Sequence, residues 1–240
     1  MEQYAMEPNA RSLVRTARMA GLLYLIWTMT GLFAMFYVPS QINMRGDVVT
    51  TAENILSHEV LFRTTVVNDL VSCTIWVVMV LVFYRMFKQV DQFQARFLVA
   101  LVIVQIPIAL SMEAFGIASL MIVKGEVLKT FALTQRQDVA VLFLKINEYG
   151  VLTLETFWGL WLIPLAILVY RSRFLPRFLG IWLFITGLFY LAVSFTGLML
   201  PHYQDRVLHN AFALPIELGE VAFMLWLLVR GARPRLTGAS

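Results

Sequence analysis

Five acidic residues stand inside long apolar stretches of this sequence, where a charged side chain is costly. They are Asp69, Glu113, Glu155, Glu217 and Glu220. A carboxylate at the centre of a membrane-spanning helix costs roughly 2.5–3.5 kcal/mol even on the most lenient scale, so such acids usually face a bundle interior and take part in function. Carboxyl groups placed there can exchange protons, bind cations or act as general acids and bases. The sequence therefore predicts a polar site inside a membrane protein.

Four of these acids lie at similar distances from an arginine that ends the same apolar stretch. The separations are 16 residues from Asp69 to Arg85, 16 from Glu155 to Arg171, 17 from Arg96 to Glu113 and 13 from Glu217 to Arg230. At about 1.5 Å per helical residue, these are heights of roughly 20–25 Å above one membrane face. Four carboxylates at one level predict a shared cavity rather than contact with lipid.

The last apolar stretch carries the densest polar pattern. Glu217 and Glu220 are three residues apart and are neighbours on a helix, where two close carboxyl groups should share a proton. Asn210 lies seven residues before Glu217, on the same helical face. We therefore predict a substrate or ion site built from Asp69, Glu113, Glu155, Glu217, Glu220 and Asn210. The alternative is a structural network of ion pairs, with Arg63, Lys145 and Arg206 as the neutralising cations.

Motifs for catalysis, metals and cofactors are missing from the sequence. It has no HExxH, no phosphate-binding loop, no G-x-S-x-G and no dinucleotide fingerprint. Of the three histidines, only His209 falls inside a predicted span, and it is a weak candidate metal ligand. The single cysteine, Cys73, excludes an internal disulfide. We expect no cofactor and no nucleic-acid partner, and the sequence assigns no catalytic residue.

The composition is that of an integral membrane protein. The 240 residues are 60% hydrophobic and 14% charged, against about 25% charged in soluble domains. Six apolar stretches are long enough to span a bilayer. The fold predicted is an all-α, polytopic transmembrane bundle that forms a single membrane domain over residues 1–240. The predicted spans are 19–39, 64–83, 97–123, 149–170, 178–200 and 207–229.

The basic residues predict how the bundle is oriented. The N-terminal arm, the second and fourth connections and the C-terminal tail carry three each, twelve of the 19 lysines and arginines. By the positive-inside rule this side, with both termini, is cytoplasmic. Two outer connections are long enough for short interfacial helices. Thr50-x-x-Glu53 predicts a capping box for the first, and Asp138 a cap for Val139–Lys145 in the second. A continuous helix from Asp138 to Arg171 would be about 50 Å long, so it must project beyond the bilayer or break near Gly150.

Four stretches carry a resemblance to a known family, and they extend over nearly the whole chain. They are Ala17–Tyr24, Thr51–Arg63, Arg173–Gly180 and Gly219–Val229. In them the chain resembles a bacterial family of six-helix membrane proteins known as domain of unknown function 4386. The resemblance implies six spans in a bacterial cytoplasmic (inner) membrane, with acidic residues expected at Asp69 and Glu220. It implies no activity.

Several classes of function fit this pattern. The first is a protein that binds or transports a cation, an amine or a proton-coupled solute through an outward-facing acidic cavity. The second is an intramembrane enzyme that acts on a lipid-like substrate, with carboxylates as acid and base or as metal ligands. A sensor or assembly subunit is the third. The lack of a nucleophile or metal motif favours the first. The expected partners are the lipid bilayer and a small cationic solute or a proton, with the oligomeric state left open.

Overall fold

The computed structural model of this chain describes residues 8–42, 47–200 and 213–233. Every regular element in these ranges is a helix, which confirms the predicted all-α class. The elements are α1 (Pro8–Leu32), a π-helical turn (Phe33–Tyr37), α2 (Val38–Gln41), α3 (Val48–Ser57), α4 (Glu59–Phe87), α5 (Gln92–Ile103), α6 (Gln105–Val123), α7 (Leu133–Arg171), α8 (Arg177–Met199) and α9 (Ala213–Val229).

Five helical segments are long and apolar enough to cross a membrane. They are Arg11–Gln41, Glu59–Phe87, Gln92–Val123, Leu133–Arg171 and Arg177–Met199, and they contain most or all of each of the first five predicted spans. The sixth predicted span, 207–229, begins outside the described residues. Its described apolar part, Leu218–Val229, is shorter than the ~20 residues that a spanning helix needs. Six spans therefore stay a prediction.

Helix α7 is longer than the sequence suggested. It runs without a break through Gly150 for 39 residues, about 58 Å at 1.5 Å per residue. Of the two predicted alternatives, a break near Gly150 is wrong, because one glycine costs a helix only about 1 kcal/mol, and the helix is continuous. The second outer connection therefore contains the beginning of α7 instead of a separate interfacial helix. Asp138 lies inside α7 and caps nothing, while the side chain of Gln135 accepts a hydrogen bond from the amide of Ala132 at 2.9 Å.

The short helix predicted in the first outer connection is present as α3, but its cap differs. The side chain of Asp47 accepts a hydrogen bond from the backbone amide of Thr50 at 3.0 Å. The predicted capping box at Thr50 and Glu53 is therefore wrong, because an aspartate three residues earlier already satisfies the first helical amides. The hydrogen bonds that the Asp47 carboxyl accepts from Thr50, first from its backbone amide, also hold the pKa of that carboxyl below its ordinary value.

The third candidate span is interrupted at Val104, between α5 and α6. Pro107 explains the interruption. It has no amide proton to donate to the carbonyl of Ile103, and its ring collides with the preceding turn. Pro164, in contrast, is held inside the continuous helix α7.

The chain divides into two compact units. Unit 1 comprises the described residues of Met1–Ile26, Trp76–Ile103 and Glu155–Ser240, and unit 2 comprises those of Trp27–Ile75 and Val104–Leu154. The helices α1, α4 and α7 each contribute to both units.

The core of unit 1 is aromatic and contains closely packed helices. Tyr24 is buried against Phe83, Trp161 and Phe223, with ring centroids 6.1–6.2 Å apart. Helices α7 and α8 approach each other where both carry glycine. A Cβ atom on Gly159 would lie 2.6 Å from the carbonyl oxygen of the glycine opposite it on α8. Such close backbone contact through small residues is typical of packed helices in membranes.

The core of unit 2 consists of two small apolar clusters. They are Val38, Ile42, Ile55, Phe62 and Leu120 in the first, and Ala52, Ile122, Val123 and Ala140 in the second. Hydrogen bonds join α6 to α7 within this unit. The hydroxyl of Ser119 donates to the carbonyl of Ala140 at 3.1 Å, in a buried position. These contacts hold the α6 backbone in place near Glu113.

Candidate functional site

Two of the predicted acids meet in unit 2. The side chains of Asp69 on α4 and Glu113 on α6 form a hydrogen bond with each other. Each residue lies in a different candidate span and is half-buried. A carboxylate oxygen can only accept a hydrogen bond, so this bond forms when one of the two groups is protonated. The two carboxyl groups are therefore placed to share a proton.

Asn68 orients this pair from its aspartate side. Its amide nitrogen donates to Oδ1 of Asp69 at 2.9 Å and to the carbonyl oxygen of Thr30 at 3.1 Å. Both amide protons of Asn68 are thereby used. A hydrogen bond to a charged acceptor is the stronger kind, so Asn68 favours the ionised form of Asp69. This contact favours placing a shared proton on Glu113.

Helix α1 supplies further oxygen atoms beside Asn68. The hydroxyl oxygens of Thr30 and Ser72 lie 3.0 Å apart, and the Thr30 hydroxyl donates to the carbonyl of Trp27 at 2.6 Å. The π-helical turn Phe33–Tyr37 begins three residues after Thr30. Single π-helical turns occur frequently at functional sites. Carboxyl, hydroxyl and carbonyl oxygens are the ligands that hard cations prefer.

Helix α7 fixes the backbone on the Glu113 side. The side-chain amide of Asn147 donates to the carbonyl of Met112 at 2.8 Å. Gly150, one turn further along α7, leaves room for the Met112 side chain, because a Cβ atom there would lie 1.8 Å from its sulfur. Asn147 and Gly150 thus act as positioning residues for α6, next to the carboxyl pair.

The basic residues near the predicted acid layer do not neutralise the carboxyl pair. Arg63 pairs with Glu59 at 2.8 Å, and Lys145 lies 3.4 Å from Glu148. In the described part of the chain, no ion pair includes Asp69, Glu113 or Glu155. The described residues therefore give no support to the alternative of a structural ion-pair network for these three acids, and that alternative stays a prediction. Arg206 lies outside the described residues.

Glu155 belongs to unit 1 and is half-buried there. Its Oε2 atom is buried and has no hydrogen-bond partner among the described residues. The adjacent Thr156 hydroxyl pairs with that of Ser194 at 2.6 Å. The predicted single layer of four acids therefore divides between units, with Asp69 and Glu113 in one and Glu155 in the other. A cavity shared by all of them stays a prediction.

Glu220, also in unit 1, accepts a hydrogen bond from the hydroxyl of Tyr24. The tyrosine is 1% exposed. Sequence reasoning missed this partner, although a tyrosine in the middle of an apolar span is itself a signal, since its hydroxyl usually finds a polar partner when buried. The side chain of Glu217, as well as Asn210 and His209, lie outside the described residues, so the predicted Glu217–Glu220 pair is untested.

Metal-binding geometry is not found among the side chains that the structure describes. No group of three or more histidine, cysteine, aspartate or glutamate residues in that part of the chain is arranged to hold a metal ion. His58 lies in the turn between α3 and α4, where its Nδ1 atom is 3.0 Å from the carbonyl of Asn54.

Comparison with known proteins identifies a family for this chain. The model of a protein family described as a domain of unknown function (DUF4386) matches residues 19–231. No curated protein and no solved structure matches the chain.

Proposed function

We propose that this chain, which belongs to the DUF4386 family, is a membrane protein that exchanges a proton for a small cation at Asp69 and Glu113. The observation that carries this proposal is the hydrogen bond between these two side chains, which come from two different candidate spans. Neither acid has a basic partner in the described part of the chain. Two neighbouring carboxyl groups can bind one positive charge between them. In the resting pair, we propose that this charge is a shared proton.

The chemistry of the exchange follows from charge balance. With the proton in place, the pair carries one negative charge, which Asn68 stabilises through Asp69. A cation that enters between the carboxyl groups displaces the proton from Glu113, so one charge leaves for each that arrives. Oxygen atoms of Thr30 stand nearby as further ligands, since Asn68 contacts its carbonyl. This arrangement suits a sodium-sized cation or a primary amine, both of which bind carboxyl and carbonyl oxygens.

The wider architecture that we propose is the one predicted from sequence. It is a single domain over residues 1–240 with six spans in a bacterial inner membrane and both termini in the cytoplasm. Glu155, Glu217, Glu220 and Asn210 keep the role predicted from sequence, that of further substrate or ion ligands. Transport of the cation, coupled to a proton, is the activity that we propose.

Cation binding by the purified full chain tests the proposal. Sodium and ethylammonium are added to the protein in detergent, in weakly buffered solution at pH 7, with choline as the bulky control. We expect at least one of the two small cations to raise the thermal stability and to release one proton per bound ion, read with a pH-sensitive dye. If neither cation stabilises the protein or releases protons, the exchange function is wrong.

Single cysteines test the proposed orientation in a Cys73→Ser background. Lys88 and Lys129 are both exposed and lie in connections predicted on opposite sides. In intact bacterial cells, a membrane-impermeant maleimide should label Lys129→Cys but not Lys88→Cys, because the basic connection faces the cytoplasm. After the cells are opened, both should react. The reverse pattern in intact cells would invert the topology and place the termini outside.

A further inference from the structure

One end of unit 1 is strongly basic and is held together by specific contacts. The backbone amide of Arg233, beyond α9, donates to the carbonyl of Phe174 at 2.9 Å, in the connection between α7 and α8. Phe174 in turn stacks on Phe87 at 5.7 Å between ring centroids. A Cβ atom on Gly231 would lie 3.7 Å from the side chain of Arg18. The ends of α4 and α9, the connection between α7 and α8, and the Arg18 side chain of α1 thus meet at this end of unit 1.

Two arginines on this surface lie over aromatic rings. The Arg177 guanidinium is 5.4 Å from the ring centroid of Tyr170, and that of Arg233 is 5.6 Å from Trp226. Phe178 packs edge-on against the same tryptophan, at 6.2 Å. Arg177 directly precedes Phe178, so the ring contact between Phe178 and Trp226 brings the two arginines to the same patch. Stacking restricts the guanidinium groups but leaves their N–H donors available for another partner.

Arg173 occupies a backbone conformation that glycine normally takes. Its φ is 59°, in the left-handed region, and its side chain is exposed. A bulky residue held in that region is often there because its side chain has a use. The connection that carries it is fixed by the contacts of Phe174, so Arg173 is presented from a defined loop.

The positive charge of this end is barely compensated. Asp91 forms an ion pair with Arg171 at 2.5 Å. In the described part of the chain, no ion pair includes Arg173, Arg177 or Arg233. Three exposed guanidinium groups, two of them over a tyrosine and a tryptophan ring, therefore carry charge without a counter-ion among the described residues.

We propose that Arg173, Arg177 and Arg233 form a site for the phosphate of an anionic phospholipid. The patch lies where the candidate spanning helix α7 ends and α8 begins. At the ends of spanning helices, lipid phosphates and interfacial tryptophans and tyrosines are found. Guanidinium groups bind phosphate in a bidentate manner, and the rings beneath them suit the apolar glycerol and acyl region. A nucleic acid would also offer phosphates, but it offers no apolar region for these rings.

Lipid titration of the purified full chain tests this site. Native mass spectrometry measures binding of phosphatidylglycerol and phosphatidylcholine, with free inorganic phosphate as competitor. The parent should prefer phosphatidylglycerol by at least tenfold. Replacing the three arginines by glutamine should weaken its binding about a hundredfold, and Arg173→Gln alone about fivefold. Arg173→Gln removes no ring contact, so it keeps the test valid if the triple variant fails to fold.

A matched control separates this site from general charge effects. Arg63→Gln, Lys129→Gln and Lys145→Gln remove three exposed cations from unit 2, and together they should leave phosphatidylglycerol binding within twofold of the parent's. Equal loss in the control triple, or unchanged lipid binding in Arg173→Gln, would overturn the proposal. Displacement of the lipid by millimolar inorganic phosphate would do the same, because it would identify the site as one for the free anion.

Discussion

Glu113→Gln should remove the pH dependence of cation binding while leaving the fold nearly as stable as that of the parent. The glutamine amide can still donate to Asp69, as the protonated glutamate does, but it has no proton to release. In the parent, one proton leaves for each cation, so affinity should rise about tenfold per pH unit between pH 6 and 8. In Glu113→Gln that slope should fall to zero. Calorimetric titration with sodium or ethylammonium at three pH values measures it.

Asp69→Asn should have the more severe effect on binding. It removes the carboxylate that Asn68 orients, and the cation then loses its ionised ligand. We expect binding to fall below detection. Glu148→Gln is the matched control, since Glu148 lies on α7 in the same unit but is exposed beside Lys145. A parent-like pH slope in Glu113→Gln, or parent-like affinity in Asp69→Asn, would exclude this pair as the exchange site.

Gly21→Ala should destabilise the protein by about 1–3 kcal/mol, through overpacking between α1 and α9. A Cβ atom at this position would lie 2.5 Å from the backbone nitrogen of Leu228 and 2.9 Å from the carbonyl carbon of Leu227. Backbone atoms of a packed helix cannot rotate away as a side chain can, so one of the two helices must shift. Thermal unfolding in detergent, followed by tryptophan fluorescence, measures the loss.

Gly31→Ala is the matched control for this substitution. It lies on the same helix, and a Cβ atom there meets nothing within 4 Å. We expect it to be neutral or to stabilise the protein by up to about 1 kcal/mol, because alanine favours the helix more than glycine does. Equal melting temperatures for Gly21→Ala and Gly31→Ala would show that α1 and α9 do not approach as closely as described.

Much of the helical layout could be predicted from the sequence because it depends on local properties. Apolar stretches of about 20 residues predict spanning helices whatever their neighbours are, and five such helices are found. The acids inside them, including Asp69 and Glu113, were identified by the cost of placing a charge in lipid. Only their similar predicted depth indicated that Asp69 and Glu113 would lie close together.

The details of the site depend on which helices contact each other, and the hydropathy pattern of the sequence does not encode those contacts. Nothing local to Asn68 indicates that its amide bridges Asp69 and the carbonyl of Thr30, 38 residues away. The bond between Tyr24 and Glu220 joins residues 196 positions apart. The equal spacing from arginines gives depth and not which helices pack together, so the predicted grouping of Glu155 with Asp69 and Glu113 stays a prediction.

Infrared spectroscopy tests most directly whether Asp69 and Glu113 share a proton. The C=O stretch of a protonated carboxylic acid is distinct from the bands of ionised carboxylates and shifts in D2O. At pH 7, the spectrum of the parent minus that of Glu113→Gln should show one protonated carboxyl band that the variant lacks. The parent minus Glu148→Gln should show none. A parent and a Glu113→Gln variant with identical carboxylic acid bands would contradict the proton-sharing pair, and with it the proposed exchange of a proton for a cation.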